Sequence, residues 1–279
     1  MADISVIIVN RNVRQYLEEC LASVFRCWDG PSEALQVVVV DNGSADGSGQ
    51  MLKEKFPAAT VITNRDNRGF AAACNQGIAI SRGHYLMLLN PDTIMAGGLF
   101  TGLISFMEAH PKAGMAGPLV LNPDGTKQPT YRRFPTYGNI LFSRKSPISR
   151  LWPGNRASRD YLQGGLQLDR PSRVESLGGV CLLLRREMLD QVGCLDEGFF
   201  MYLEDTDLCY RAAAKGWECW LVPSARLIHH WGGSSRQEAA RAAEEHRKSV
   251  YYYFLKHYKP LLIQKLYLRA GLSIHKLFD

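Results

Sequence analysis

The stretch QVVVVDNGSADGS (36–48) sets four valines in a row against a dense run of Asp, Asn, Gly and Ser. An unbroken β-branched run without polar alternation reads as a strand covered on both faces, the environment of a parallel sheet. The polar run that follows is a turn signal strong enough to end the strand at Asp41. The same succession occurs three more times: ISVIIV (4–9) stops at NRN, ATVIT (59–63) at NRDNRG, and HYLMLL (84–89) at NPD. Between the first two strands, Tyr16, Leu17, Cys20, Leu21 and Val24 repeat at helical spacing and predict a helix over about 13–25. Further helices are expected near 46–56 and 70–80.

Strands alternating with helices pair in parallel through right-handed crossovers. The expected fold is therefore α/β, with a Rossmann-like, mostly parallel central sheet flanked by helices. In such open sheets, ligands sit beyond the carboxyl ends of the strands. The clusters Asn10–Asn12, Asp41–Ser44, Asn64–Gly69 and Asn90–Asp92 all fall at that edge. A generic α/β domain would have to gather all four there by accident. The second half is less regular. A helix over about 96–109 leads through AGMAGPLVLNPDG to a long stretch rich in Pro, Gly, Ser and Arg (127–173). LGGVCLLLRREML reads as strand into helix, and an Ala-, Glu- and Arg-rich helix starts near Gln237. The tail beyond it mixes aromatics, leucines and lysines, which suits packing on the domain or lying at a membrane surface.

With 279 residues the chain can form one large α/β domain, alone or with appended helices. Its 46% hydrophobic and 22% charged fractions are those of an ordinary globular protein. Seven scattered cysteines without CxxC spacing point to buried thiols in a reducing cytoplasm, not to a disulfide frame or zinc cluster. MADISVIIVNRN reads as a strand rather than a signal peptide, and no apolar run reaches the ~18–20 residues that cross a bilayer. The net charge of +6 is uneven: from Lys127 to Arg173, ten Lys and Arg stand against two Asp. Such a patch suits phosphate-bearing ligands or an anionic membrane surface, or is a solvated basic loop. It is not the footprint of a protein that binds nucleic acid as a whole.

Neither a G-x-G-x-x-G fingerprint nor a Walker A loop is present, which lowers the dinucleotide oxidoreductase and P-loop NTPase readings. Asp41 closes a buried strand and would point an acceptor at a pyrimidine ring N–H, or else shape an Asx-turn with Asn42. In NRGFAAACNQGI, helix N-terminal N–H groups with Arg68 suit a diphosphate cradle, and ordinary capping is the alternative. Asp92, stiffened by Pro91 just past a strand, is where a hard divalent cation would bind beside a diphosphate. LIHHWGG adds an imidazole pair, His229 and His230, next to glycines that permit close approach. Finally, FFMYLEDTDLCYRAAAKGW (199–217) opens a helix with Glu204, Asp205 and Asp207. Asp207 and Arg211 stand at i,i+4 and can pair. Asp205 instead shares a stripe with Leu208, Cys209 and Ala212, where a carboxylate is costly unless it meets a partner or lines a site.

Taken in order, SVIIVNRN, VVVVDNGSADGS, NRGFAAACNQGI, LLNPD, GGVCLLLRREML, GCLDEGFFMYLEDTDLCYRAAAKGW and HHWGGSS resemble the family 2 glycosyltransferases of GT-A fold. The likeness is nearest to the bacterial rhamnosyltransferase-like branch and runs over about 4–235. It implies an inverting transferase that moves a sugar to a glycan or lipid-linked acceptor for cell-surface polysaccharide, first L-rhamnose from a dTDP-sugar, with a hexose or another sugar from a UDP-sugar as the alternative. In that frame Asp205 is the general base, with Glu204, Gly179 and Trp217 on the acceptor side. Asn10, Asp41, Asn67, Arg68, Gly69, Asn90 and Asp92 would bind the nucleotide sugar. Asp92 and His230 would hold Mg2+ or Mn2+, with the choice between His229 and His230 open. Asn90 stands where the DxD metal motif has its first Asp, so one charge is missing. The implied organisation is a transferase domain over 1–235, split into a nucleotide-sugar half (1–122) and an acceptor half (123–235), followed by a helical extension over 236–279. The implied location is cytoplasmic, at or near the inner membrane face. Two other readings remain: a nucleotidyltransferase, which would need a glycine-rich loop at the first strand, and an inactive scaffold, which would lack Asp92 or Asp205.

Overall fold

The computed structural model describes residues 3–139, 152, 156–161, 166, 168–230, 232 and 239–276. Strand β1 (Ile4–Asn10) pairs in parallel with β2 (Leu35–Asp41), placing Asn10 beside Asp41. β2 continues in parallel to β3 (Thr60–Thr63), and β1 pairs on its other side with β4 (Tyr85–Leu89). Helices α1 (Arg14–Cys27), α2 (Ser48–Lys55) and α3 (Phe70–Ala79) make the crossovers. Alternation in β1 shows why both faces are apolar. Val6 and Ile8 pack with Leu17, Leu21 and Leu52 of α1 and α2, whereas Ile7 packs with Ala71, Cys74 and Ile78 of α3. Each helix thus buries its apolar stripe on one face of the same strands.

Past β4 the sheet becomes mixed. After β5 (Thr93–Met95) come α4 (Leu99–Ala109), β6 (Ala113–Leu121), β7 (Lys127–Gln128), β8 (Tyr131–Arg132), helix α5 (Arg156–Tyr161), β9 (Ser172–Val174), β10 (Ser176–Leu177) and β11 (Cys181–Arg185). β11 inserts antiparallel between β4 and β6, giving the order β3-β2-β1-β4-β11-β6-β12-β5 once β12 (Glu218–His229) is added. The reversal has a simple cause. β10 already lies at the edge where β4 ends, so the chain enters β11 there without a crossover and runs back. Helices α6 (Arg186–Val192) and α7 (Glu204–Ala214) follow, and β12 returns parallel to β6. ECWLVP and LIH form this one strand, irregular between Val222 and Arg226, where Pro223 cannot donate to the ladder.

The chain ends in α8 (Ala239–Tyr258) and α9 (Leu262–Lys276). Val250, Tyr253 and Phe254 of α8 and Leu268 of α9 bury against Phe199 and Leu203 in a cluster of their own. Of the basic stretch 127–173, residues 140–151, 153–155, 162–165 and 167 lie outside the described residues, as do 231 and 233–238 around the expected boundary at 235.

Candidate active site

Every strand end named by the polar clusters opens on one cleft of about 420 Å3. Asn67, Asn90, Asp92, Gly179, Glu204, Asp205 and His229 all line it. β4 and β12 deliver Asp92 and His229, the start of α7 delivers Glu204 and Asp205, and the turn into β11 delivers Gly179.

Asp205 is buried and held from several directions. Its Oδ2 accepts the Gly179 N–H at 2.8 Å. Its Oδ1 accepts the Thr206 N–H at 2.6 Å and the Thr206 hydroxyl at 3.1 Å, with Arg132 Nη2 at 3.4 Å. Arg132 also donates to Thr206 Oγ1 at 3.0 Å. The cost of burying a carboxylate on an apolar stripe is met by this donor set. Glu204, next to it, is equally buried, and its Oε2 has no hydrogen-bond partner. Burial first, and then the charge of Asp205, push its carboxyl up to about 8. Near neutral pH Glu204 therefore keeps its proton.

Two residues with left-handed backbone, Tyr202 (φ 72°) and Leu203 (φ 64°), lead into this pair. Such positions cost about 1–3 kcal/mol each for non-glycine residues and persist where surrounding contacts over-determine them. Here the contacts are visible. Phe200 O accepts the Phe70 N–H at 2.7 Å, and Leu203 O accepts the Asp207 N–H at 2.8 Å. Asp207 is buried, and burial alone would raise its carboxyl. His257, Lys256 and Arg211 overcome that and bring it down to about 2. Arg211 Nε donates to Oδ2 at 2.8 Å, while Lys256 Nζ and His257 Nε2 lie 2.6 and 2.7 Å from Oδ1. The i,i+4 pair is present, and α8 adds two more partners that tie it to the acidic helix.

Elsewhere in the lining of the cleft, His229 Nε2 lies 3.3 Å from Asp92 Oδ1. Gln128 Nε2 donates to His229 O at 2.7 Å and to Asn122 Oδ1 at 2.6 Å, so its Oε1 faces His229 Nδ1 at 2.8 Å as the acceptor. That network fixes a proton on Nδ1 and aims Nε2 at the Asp92 carboxylate. With Nε2 unprotonated, that nitrogen and the carboxylate oxygen make a donor pair for a cation. The 3.3 Å separation is close to the ~3.0 Å between neighbouring ligands of an octahedral shell with ~2.1 Å bonds. Among the described residues no group of three His, Cys, Asp or Glu gathers. The remaining positions would fall to water and to oxygen atoms of a bound ligand. The residues present fit a divalent cation.

His230 does not take the place expected of it. Its ring packs on Tyr16 with centroids 5.2 Å apart, and only its backbone N–H reaches Asp92, donating to the carbonyl at 2.9 Å. Adjacent strand residues point to opposite faces, so only one of the pair can meet Asp92. Trp217 is also misplaced by the sequence reading. It precedes the first residue of β12, at the sheet edge remote from His229, and donates to Gln191 Oε1 at 3.1 Å.

The loop from β3 into α3 is organised by a residue read from sequence only as a turn former. Asn42 donates to Asn67 Oδ1 at 2.9 Å and to Gly69 O at 3.1 Å, and accepts the Arg68 N–H at 3.0 Å. It thereby shapes the loop into α3, while the Arg68 side chain is exposed. Asp41 accepts the Ser44 N–H at 3.3 Å and Asn10 Nδ2 at 3.4 Å, so it does shape its own turn. Gly69 has φ 87° and ψ 166°, a region essentially reserved for glycine. Arg132, Phe200, Tyr202 and, from α8, Arg241 and His246 also line the cleft. Only Arg132 carried a signal, as part of the basic stretch.

The family model described as Glycosyl transferase family 2 matches residues 5–193. The chain is 33% identical over 237 residues to the N-acetylglucosaminyl-diphospho-decaprenol L-rhamnosyltransferase of Mycobacterium tuberculosis, covering 81% of this chain and 75% of that protein. Among solved structures it is similar in fold to a mannosyltransferase from Pyrobaculum calidifontis in complex with GDP-Man and Mn2+, at TM-score 0.60 and 18% identity, over 98% of this chain and 72% of the other. A structure of GalNAc-T7 with UDP, GalNAc and Mn2+ gives a TM-score of 0.63 at 17% identity, over 98% of this chain and 55% of the other.

Proposed function

The chain belongs to glycosyl transferase family 2, and on that premise we propose that it moves L-rhamnose from a dTDP-sugar to a lipid-linked diphosphate-sugar acceptor, with inversion at the anomeric carbon. The observation that carries this reading is the shared cleft, lined both by Asp205, pinned by its donors, and by the Asp92–His229 pair. The mycobacterial relative supports the donor and acceptor class. An acceptor hydroxyl attacks the anomeric carbon as the bond from that carbon to the diphosphate breaks. Its proton passes to Asp205. Gly179 and Thr206 N–H groups hold the Asp205 carboxylate in orientation, and Arg132 steadies it from the acceptor side. Glu204, carrying its proton, adds no second negative charge. Asn42 and Asn67 set the loop that opens α3 toward the diphosphate. Mg2+ or Mn2+ on Asp92 and His229 would neutralise charge on the departing nucleoside diphosphate.

The test is transfer by the purified chain from a panel of dTDP- and UDP-sugars to a short-chain polyprenyl-diphospho-N-acetylglucosamine, with product mass as readout. dTDP-rhamnose should be the productive donor. Asp205→Asn should keep donor binding and lose transfer by roughly 10²–10⁴-fold. Absence of transfer from every donor with either metal, or full turnover in Asp205→Asn, would sink the proposal.

A further inference from the structure

Helix α9 carries two apolar faces. Leu268 is buried against α8, with Leu272 packed on the same cluster. Leu261, Leu262, Ile263, Leu266 and Tyr267 instead leave between 43% and 75% of their surface exposed. At 3.6 residues per turn, the four of these within α9 span an arc of about 140°. Lys265 and Arg269, one turn apart, lie between the outward arc and the buried side. From Lys259 to Lys276 the sequence has four Lys and Arg and no Asp or Glu. Isolated exposed leucines are ordinary, but a contiguous apolar arc beside a purely basic row is not. Among the described residues no helix is long and apolar enough to cross a membrane.

We propose that this outward face of α9 docks flat on an anionic lipid bilayer. The apolar arc enters the headgroup–acyl boundary, and the basic row meets the lipid phosphates. Charge selects this occupant over a second copy of the chain: two α9 faces brought together would oppose like charges with no acid on either helix. The placement also has a consequence for the cleft. α8 buries Tyr253 and Phe254 beside α9, while its Arg241, Ala242 and His246 line the cleft. Docking α9 therefore holds one wall of the cleft at a set position relative to the bilayer. The inference requires nothing of the sugar chemistry.

The experiment is co-flotation of the full chain with vesicles of phosphatidylcholine alone or with phosphatidylglycerol. The wild-type chain should float with the anionic vesicles. Leu262→Ser, Ile263→Ser and Leu266→Ser combined should lower partitioning roughly 100-fold, given the apolar surface removed from the interface. Lys259→Gln with Lys265→Gln should lower it about 25-fold on anionic vesicles only, at ~1 kcal/mol for each charge near the surface. Circular dichroism and transfer to a water-soluble acceptor analogue should stay at wild-type values in both variants, which separates loss of docking from loss of fold. Wild-type protein that fails to float overturns the proposal. So does a wild-type dimer in light scattering that the triple variant dissolves, since the face would then be a contact between copies. If no donor supports transfer yet the chain floats, the transferase reading fails and the docking inference stands.

Discussion

Replacing Gly69 by Ala tests whether the loop into α3 and the segment before the acidic pair act as one unit. Gly69 sits at φ 87° and ψ 166°, where a side chain costs about 1–3 kcal/mol. A Cβ there would stand 2.7 Å from Phe200 O and 2.9 Å from its Cδ2, and the first of these is backbone that cannot rotate away. That same carbonyl accepts the Phe70 N–H at 2.7 Å, a bond whose loss costs on the order of 1 kcal/mol. Together the two effects give roughly 2–4 kcal/mol, or about 4–8 °C of Tm at ~2 °C per kcal/mol for a chain of this size. Because Phe200 is the near anchor of the left-handed turn before Glu204 and Asp205, displacement there should also cost turnover about tenfold or more. The assay is thermal unfolding together with transfer rate, run beside Gly49→Ala. Gly49 lies in α2 with nothing within 4 Å of its would-be Cβ, so that change should be neutral or stabilise by up to ~1 kcal/mol. If Gly69→Ala matches Gly49→Ala in both Tm and turnover, the two segments are not coupled.

Asp207→Asn should destabilise by about 3–5 kcal/mol, because it leaves Lys256, His257 and Arg211 around a neutral amide. In the wild-type chain this carboxylate adds stability above its usual range that is lost as pH falls toward about 2, so the acid limb of a pH–Tm curve should flatten in the variant. Glu204 works in the opposite sense. Between pH 4.5 and about 8 the folded chain holds a proton that the unfolded chain has released, so this group costs stability as pH rises, and Glu204→Gln should remove that slope. For the cation, Asp92→Asn and His229→Ala should each weaken Mn2+ binding roughly tenfold or more with nucleoside diphosphate present, measured by electron paramagnetic resonance. His230→Ala should leave it unchanged, and the reverse ranking would return the metal to His230.

The sequence by itself determined the alternating parallel half of the sheet, the edge at which it would bind, and Asp205 as the carboxylate out of place on an apolar stripe. These depend on periodicity and on turn chemistry, which act over a few neighbouring residues. The likeness of seven ordered segments carried the family as well. What it could not decide involves residues distant along the chain. His229 rather than His230 meets Asp92 because β12 is laid beside β5 in one register, and a one-residue slip would exchange the two rings. Arg132 reaches Asp205 only because β8 pairs with β10 beneath the acidic helix. Trp217, which the family resemblance puts on the acceptor side, is separated from Asp205 by a whole helix that carries it to the far edge of the sheet. The i,i+4 spacing of Asp207 and Arg211 is enough to predict their pairing. The burial of Asp207 beneath Lys256 and His257 followed only from the return of α8, a packing contact between apolar faces that no local pattern encodes.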